Sequence, residues 1–154
     1  MRLIVAVVGR ARHPALGPAA RDYEERATHY WPLEVREVRE EPVRSVTAEV
    51  VREREGKRLL EAAPERAHIV ACDPDGTAMA SEAFSQWLQR ERERGVDVCF
   101  VIGGAHGLSD AVRKAARTRL SLGPWTLPHE LARVVLAEQI YRAGTIVRRE
   151  PYHK

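Results

Sequence analysis

The chain has 154 residues, of which 44% are apolar and 31% charged; this is one domain's worth of globular sequence, which excludes a disordered chain and needs no disulfide or metal staple. The first apolar run, Leu3 to Val8, is six residues long, against roughly 20 for a membrane-spanning helix, and Arg10 and Arg12 follow it without a signal-peptide cleavage site. Net charge is +3, but residues 1–102 carry 16 basic and 18 acidic side chains (−2), whereas residues 103–154 carry 9 and 4 (+5), so a polyanion partner is expected at the C-terminal third.

The elements follow in chain order. Leu3 to Val8 is a continuous β-rich run, as in a strand covered on both faces. A helix is expected around Ala19 to His29, ended by Trp31-Pro32. Leu33 to Val38 alternates Leu, Val, Val with Glu and Arg, the pattern of a half-exposed strand. Ser45 is the expected cap of a helix to about Ala63, with Gly56 a weak point in it. His68 to Cys72 reads as a second buried strand, closed by Asp73-Pro74-Asp75-Gly76 as a turn. Ser81 is the expected cap of a helix that places Phe84, Trp87 and Leu88 on one face, and Gly95 stops it.

Val96 to Ile102 is another buried strand. The Gly103 to Gly107 turn leads to a helix from Ser109 to about Thr118, and Leu120 to Leu122 is a brief strand. A loop from Gly123 to Pro128 precedes the last helix, Glu130 to about Val147. This alternation predicts a single α/β domain over residues 1–154. Its sheet is mainly parallel, of five to six strands, with helices on both faces. Ligands of such sheets sit at the carboxyl ends of the strands, here Asp73–Gly76, Gly103–Gly107 and Gly123–Leu127.

The last helix carries apolar residues on two arcs. Leu131, Val134 and Val135 lie on one; Ala132, Leu136, Ile140 and Ala143 lie on the other. One arc can meet the chain's own sheet, and the second is expected to meet another copy about a two-fold axis.

Several chemistries are excluded. The first strand–helix turn lacks GxGxxG, and no P-loop, GxSxG or HExxH occurs. The six histidines show no ligand spacing, so no metal is expected. Cys72 and Cys99 stand in apolar runs without CxxC and read as buried thiols of a reducing cytoplasm.

Three segments remain. Ile102-Gly103-Gly104-Ala105-His106-Gly107 lets backbone approach a ligand. Leu122 to Leu127, with Trp125, either walls an adenine-sized pocket or contributes a core tryptophan. Pro151-Tyr152-His153-Lys154 with Arg148 and Arg149 is either a frayed end or a source of phosphate contacts, stacking and a proton acceptor.

Together these residues carry a resemblance. IGGxxG at 102–107, TLPHxLxRxxLxEQxYRA at 126–143 and PYH at 151–153 are similar to the ribosomal large-subunit RNA (pseudouridine-N3)-methyltransferases of the SPOUT class. The likeness extends over the whole chain and is most specific in its C-terminal third. It implies a trefoil knot and cofactor site within about 68–154, S-adenosyl-L-methionine as cofactor, a homodimer, and 23S rRNA of the assembled ribosome as substrate. The implied acceptor is the hairpin that contacts the small subunit. Cofactor residues would be Cys72, Gly103, Leu122, Gly123, Pro124, Trp125, Thr126 and Leu127. Cys72 stands where the family commonly has Leu, and Gly123-Pro124-Trp125 is bulkier and stiffer than the common Ser-Ala-Leu type of loop.

Removing the N3 proton of a pseudouridine needs a base or a cation that holds the developing anion. The candidates are His153 as base, Tyr152 to stack or hydrogen-bond the ring, and Arg142 or Arg133 for positive charge. Arg113, Lys114, Arg117 and Arg148 are candidate phosphate contacts. Three other readings exist: a transfer-RNA methyltransferase of the same class, a silent RNA- or ribosome-binding module of this fold, and a small-molecule α/β enzyme.

Overall fold

In the computed structural model, which describes residues 1–153 except the side chain of His153, the five expected strand segments form one sheet. Its strands are β1 (Leu3–Val8), β2 (Leu33–Val38), β3 (His68–Ala78), β4 (Val98–Ile102) and β5 (Thr118–Ser121). They run in the order β2-β1-β4-β3-β5, and every pairing is parallel. Helices α1 (Leu16–Thr28), α2 (Ala48–Ala62), α3 (Ser81–Arg94), α4 (Asp110–Ala115) and α5 (His129–Val147) connect and cover them, and a 3-10 turn, Pro151–His153, follows.

The two faces of the sheet follow from strand period. Side chains alternate along a strand, so Leu3, Val5 and Val7 enter one core with Ala27 of α1, Phe84 and Leu88 of α3, and Leu136 and Ile140 of α5. Ile4, Ala6 and Val8 enter the other, with Leu59 of α2 and Val112 of α4. All six residues of β1 are buried, as a central parallel strand requires. Trp31 ties α5 down: it is fully buried, its Nε1 donates to the Ile140 carbonyl at 3.0 Å, and the Arg92 guanidinium lies 3.8 Å above its ring.

The two arcs of α5 differ as the wheel predicts in one respect. Ala132, Leu136, Ile140 and Ala143 are buried in the core, whereas Leu131, Val134 and Val135 are only half-buried.

Some local expectations are corrected. The cap of α2 is Thr47, whose hydroxyl accepts from the Val50 amide; Ser45 instead adopts a positive φ of 64° in the preceding turn. Ser81 lies inside α3, which Ala80 caps, because its hydroxyl donates to Gln139 Oε1 of α5 at 2.8 Å. The Asp73–Gly76 segment does not end β3. The turn forms as a loop out of the strand: Cys72 and Thr77 both pair with Leu120 of β5, and Asp73 Oδ1 accepts from the Asp75 amide within the loop.

Gly56 is a contact point rather than a weak point. α2 runs through it unbroken, and a Cβ there would collide with the side chain of Ser109, the cap of α4. Ala improves helix propensity by about 1 kcal/mol, but overpacking of this kind costs about 1–3 kcal/mol. Gly56→Ala is therefore expected to lower the urea midpoint without changing the slope. A raised midpoint would show that α4 yields freely.

Candidate functional site

The carboxyl ends of β3, β4 and β5 converge on a cavity of about 490 Å³, within the usual range of roughly 300–1,000 Å³ for a small-molecule site. Its floor is apolar, built from Cys72, Ile102, Leu108, Leu122 and Leu127. One wall is the glycine loop after β4. Gly107 donates its amide to the Gly104 carbonyl at 3.0 Å, which folds the loop so tightly that a Cβ on Gly103 would stand 2.8 Å from the Gly107 carbonyl. Only a residue without a side chain fits there.

The opposite wall is the loop after β5. Ser121 Oγ donates to the Gly123 carbonyl at 2.7 Å and accepts from the Gly123 amide, fixing the exit of the strand. Of the eight expected cofactor residues, Cys72, Gly103, Leu122, Gly123, Trp125, Thr126 and Leu127 line the cavity, and Pro124 does not. Trp125 is not core: it is 77% exposed at the rim. His129 and Ala132, from the first turn of α5, complete the lining.

On the polar side of the cavity the sequence marks the Asp73 loop and Arg113 separately, but not the ion pair that joins them. Asp73 is 2% exposed, and its Oδ2 accepts from Arg113 Nε at 2.9 Å and from Arg119 Nη2 at 2.9 Å. Its Oδ1 accepts from the Asp75 amide at 3.0 Å. Burial pushes the Asp73 carboxyl up, but these hydrogen bonds win and hold it below the usual carboxylate range. The Asp73 carboxylate thus meets two positive charges, and exposed Asp110 stands 3.6 Å from Arg113 as a second counter-charge. Asp73 reads locally as a turn residue, and its partners lie 40 and 46 residues away.

Burial pushes the Cys72 thiol up to about 12, helped by the neighbouring Cys99 and Asp73, and the Cys99 thiol up to about 11. At pH 8 a pKa of 12 leaves a thiolate fraction of about 10⁻⁴, and the thiolate is the nucleophile. Neither cysteine of the native protein is expected to react with iodoacetamide at pH 8, while both react after unfolding. Native labelling would mean that the cavity floor opens to solvent.

The remaining candidates lie elsewhere. Arg133 is 5% exposed and is held by Glu24 (Nε to Oε1, 2.7 Å) and Glu37 (Nη1 to Oε1, 2.8 Å). It joins α5 to α1 and β2. Arg142 stands 13 residues beyond His129 on α5, roughly 20 Å along the axis. Its Nε donates to Glu138 Oε1 at 2.9 Å. Tyr152 packs there too: its hydroxyl donates to Glu138 Oε1 at 3.1 Å, its ring lies 4.9 Å from the Arg142 guanidinium, and Tyr141 meets it edge-on at 4.7 Å. Burial, then hydrogen bonding with Tyr23 and Glu138, pushes the Tyr152 hydroxyl well above its ordinary value, so it stays protonated and donates. The side chain of His153 lies outside the described residues.

The cavity thus lies at the start of α5, and the Arg142–Tyr152 cluster packs from Glu138, its midpoint, onward. Among the described residues, no group of three or more His, Cys, Asp or Glu could hold a metal ion, and no helix is long and apolar enough to cross a membrane.

Comparison with known proteins bears on what this arrangement does. A family model described as "Predicted SPOUT methyltransferase" matches residues 1–153. The chain is 62% identical over 154 residues to a Gemmatimonas aurantiaca protein named ribosomal RNA large subunit methyltransferase H, covering 100% of both chains. Proteins of the same name from Rhodospirillum centenum and Syntrophotalea carbinolica are 46% identical over 156 residues (100% of this chain, 99% of the other) and 40% identical over 154 residues (99% of each).

Proposed function

The chain belongs to the SPOUT methyltransferase family, and from that premise we propose that it methylates N3 of a pseudouridine in 23S rRNA, at the hairpin that contacts the small subunit, on the assembled ribosome. The acting form is a homodimer whose chains are knotted within about 68–154, and the cofactor is S-adenosyl-L-methionine. The observation that carries the reading is the strand-end cavity, in a chain whose end-to-end relatives are named ribosomal RNA large subunit methyltransferases.

The cavity's residues fit the cofactor. An apolar floor of Cys72, Ile102, Leu122 and Leu127 suits adenine. The folded glycine loop and the loop over Leu122 to Leu127 offer backbone groups at close range. Bound there, S-adenosyl-L-methionine supplies an electrophilic sulfonium methyl group. The protein's share is positioning and charge.

Proton removal from N3 falls to His153 as general base. Tyr152, a fixed donor, orients the ring, and Arg142 supplies positive charge near the developing anion. By helix rise Arg142 stands roughly 15–20 Å along α5 from the cavity of its own subunit, and Glu138, on which Tyr152 packs, roughly 9–14 Å. In this reading the tail of a second copy completes the site. A two-fold dimer through the half-buried arc of α5, Leu131, Val134 and Val135, makes two such composite sites. Arg133, neutralised by two carboxylates, braces α5 and takes no part in the chemistry. Arg113, Lys114, Arg117 and Arg148 supply phosphate contacts, so binding weakens steeply with salt.

The test is transfer of labelled methyl from S-adenosyl-L-methionine to three acceptors: ribosomes lacking the modification, naked 23S rRNA and bulk transfer RNA. Label on ribosomes alone is expected. Label on transfer RNA would move the activity to another acceptor class. Cofactor binding without label anywhere would mark a silent module.

A further inference from the structure

Trp125 has no structural reason to be where it is. Of the three tryptophans, Trp31 is fully buried and Trp87 packs against the core. Trp125 is 77% exposed, and the only other exposed large apolar side chain among the described residues is Val43. An indole is among the side chains that gain most from burial. The chain forgoes that gain and holds the ring out: Ser121 Oγ pins Gly123, and Pro124 and Pro128 stiffen the loop on either side. The ordering entropy of this loop is therefore spent in folding rather than in binding.

The ring stands at the mouth of the cavity, which has an apolar floor without it, in Cys72, Ile102, Leu108, Leu122 and Leu127. Its outer face is left for something else. The charge beside it says what. Arg113 lines the same cavity and with Arg119 covers the buried carboxylate of Asp73; exposed Asp110 is a second partner of Arg113 at 3.6 Å, and the excess of positive charge belongs to the surrounding C-terminal third, +5 over residues 103–154. A rigid aromatic face beside arginines is how proteins hold single-stranded nucleic acid: the ring takes a base and the cations take phosphates. A protein partner fits less well. A stable interface buries about 800 Å² on each side, and Trp125 is a lone ring rather than part of a broad apolar patch.

We propose that Trp125 is a stacking platform for an unpaired base of the RNA acceptor, which fixes the neighbouring target nucleotide over the cavity mouth. The proposal rests on the methyltransferase reading for its substrate, but its test does not need turnover. Trp125 is the exposed emitter, so a uridine-rich RNA oligonucleotide is expected to quench the red edge of the protein's fluorescence. Trp125→Phe lacks that component.

In the dimeric enzyme, Trp125→Leu is expected to raise KM for ribosomes about ten-fold, while Trp125→Phe, which keeps a ring, raises it only about two- to three-fold. Because Trp125 also lines the cofactor cavity, affinity for S-adenosyl-L-methionine, measured by calorimetry, is expected to fall by a smaller factor than KM rises in both. Three results would overturn the proposal. Trp125→Leu could weaken cofactor binding by the same factor, which would make the indole a lid on the cofactor. It could dissociate the dimer in sedimentation, which would make the ring an interface residue. Or KM and fluorescence could both fail to respond to RNA. Quenching by RNA in a wild-type protein that methylates none of the acceptors would support the platform and remove the methyltransferase reading.

Discussion

His153→Ala is expected to lower kcat for methyl transfer by roughly 10²–10⁴-fold, the usual contribution of a positioned general base, while affinity for S-adenosyl-L-methionine stays within about two-fold. The separation follows from geometry. The expected cofactor residues gather around the strand ends, whereas Arg142 and Tyr152 are held by Glu138 at the middle of α5. A base in the tail then acts on the cavity of a second subunit. That arrangement makes a sharper prediction. Gly103→Val blocks the cavity, since even a Cβ stands 2.8 Å from Gly107. Mixed with His153→Ala, it forms hybrid dimers in which one composite site has both parts intact. Random mixing gives about half hybrids with one working site each, so activity recovers to about a quarter of wild type from two inactive parents. No recovery would place base and cofactor in the same chain.

Arg133→Ala is expected to destabilise the fold by about 3–5 kcal/mol, the cost of leaving buried ionic partners uncompensated. The guanidinium makes two bonds to Glu24, at 2.7 and 3.1 Å, and one to Glu37 at 2.8 Å. Burial alone would push its pKa down, but these carboxylates outweigh it and hold it raised. Lys in its place keeps the charge but not the fork, so Arg133→Lys is expected to fall between wild type and Ala in urea unfolding. Both variants, where folded, are expected to keep wild-type kcat. A folded Arg133→Lys enzyme with kcat reduced a hundred-fold would return this residue to the reaction.

Local pattern was enough for much of the architecture. Continuous apolar runs marked β1 and β4, alternation marked β2, and the spacing of Phe84, Trp87 and Leu88 marked the buried face of α3. Glycine-rich turns at strand ends pointed to the loops that meet at the cavity. What failed was decided by distant partners. Ser45 and Thr47 are equivalent caps in isolation, and the backbone path chose Thr47. The Asp73–Gly76 turn forms but does not end β3, because pairing with β5 resumes at Thr77. Asp73 and Arg133 showed no local sign of their roles, because their partners lie 40 to 109 residues away. The packing of Tyr152 on the middle of α5, away from the cavity at the helix start, was equally hidden, since it depends on the turn by which the chain folds back after α5.

The most direct measurement is nucleoside analysis of 23S rRNA from unmethylated ribosomes incubated with the protein and S-adenosyl-L-methionine. Digestion of the intersubunit hairpin and mass spectrometry of its nucleosides are expected to show one new species, a pseudouridine carrying a methyl on N3. A methyl on any other nucleoside, or an unmodified hairpin in the presence of bound cofactor, would contradict the account.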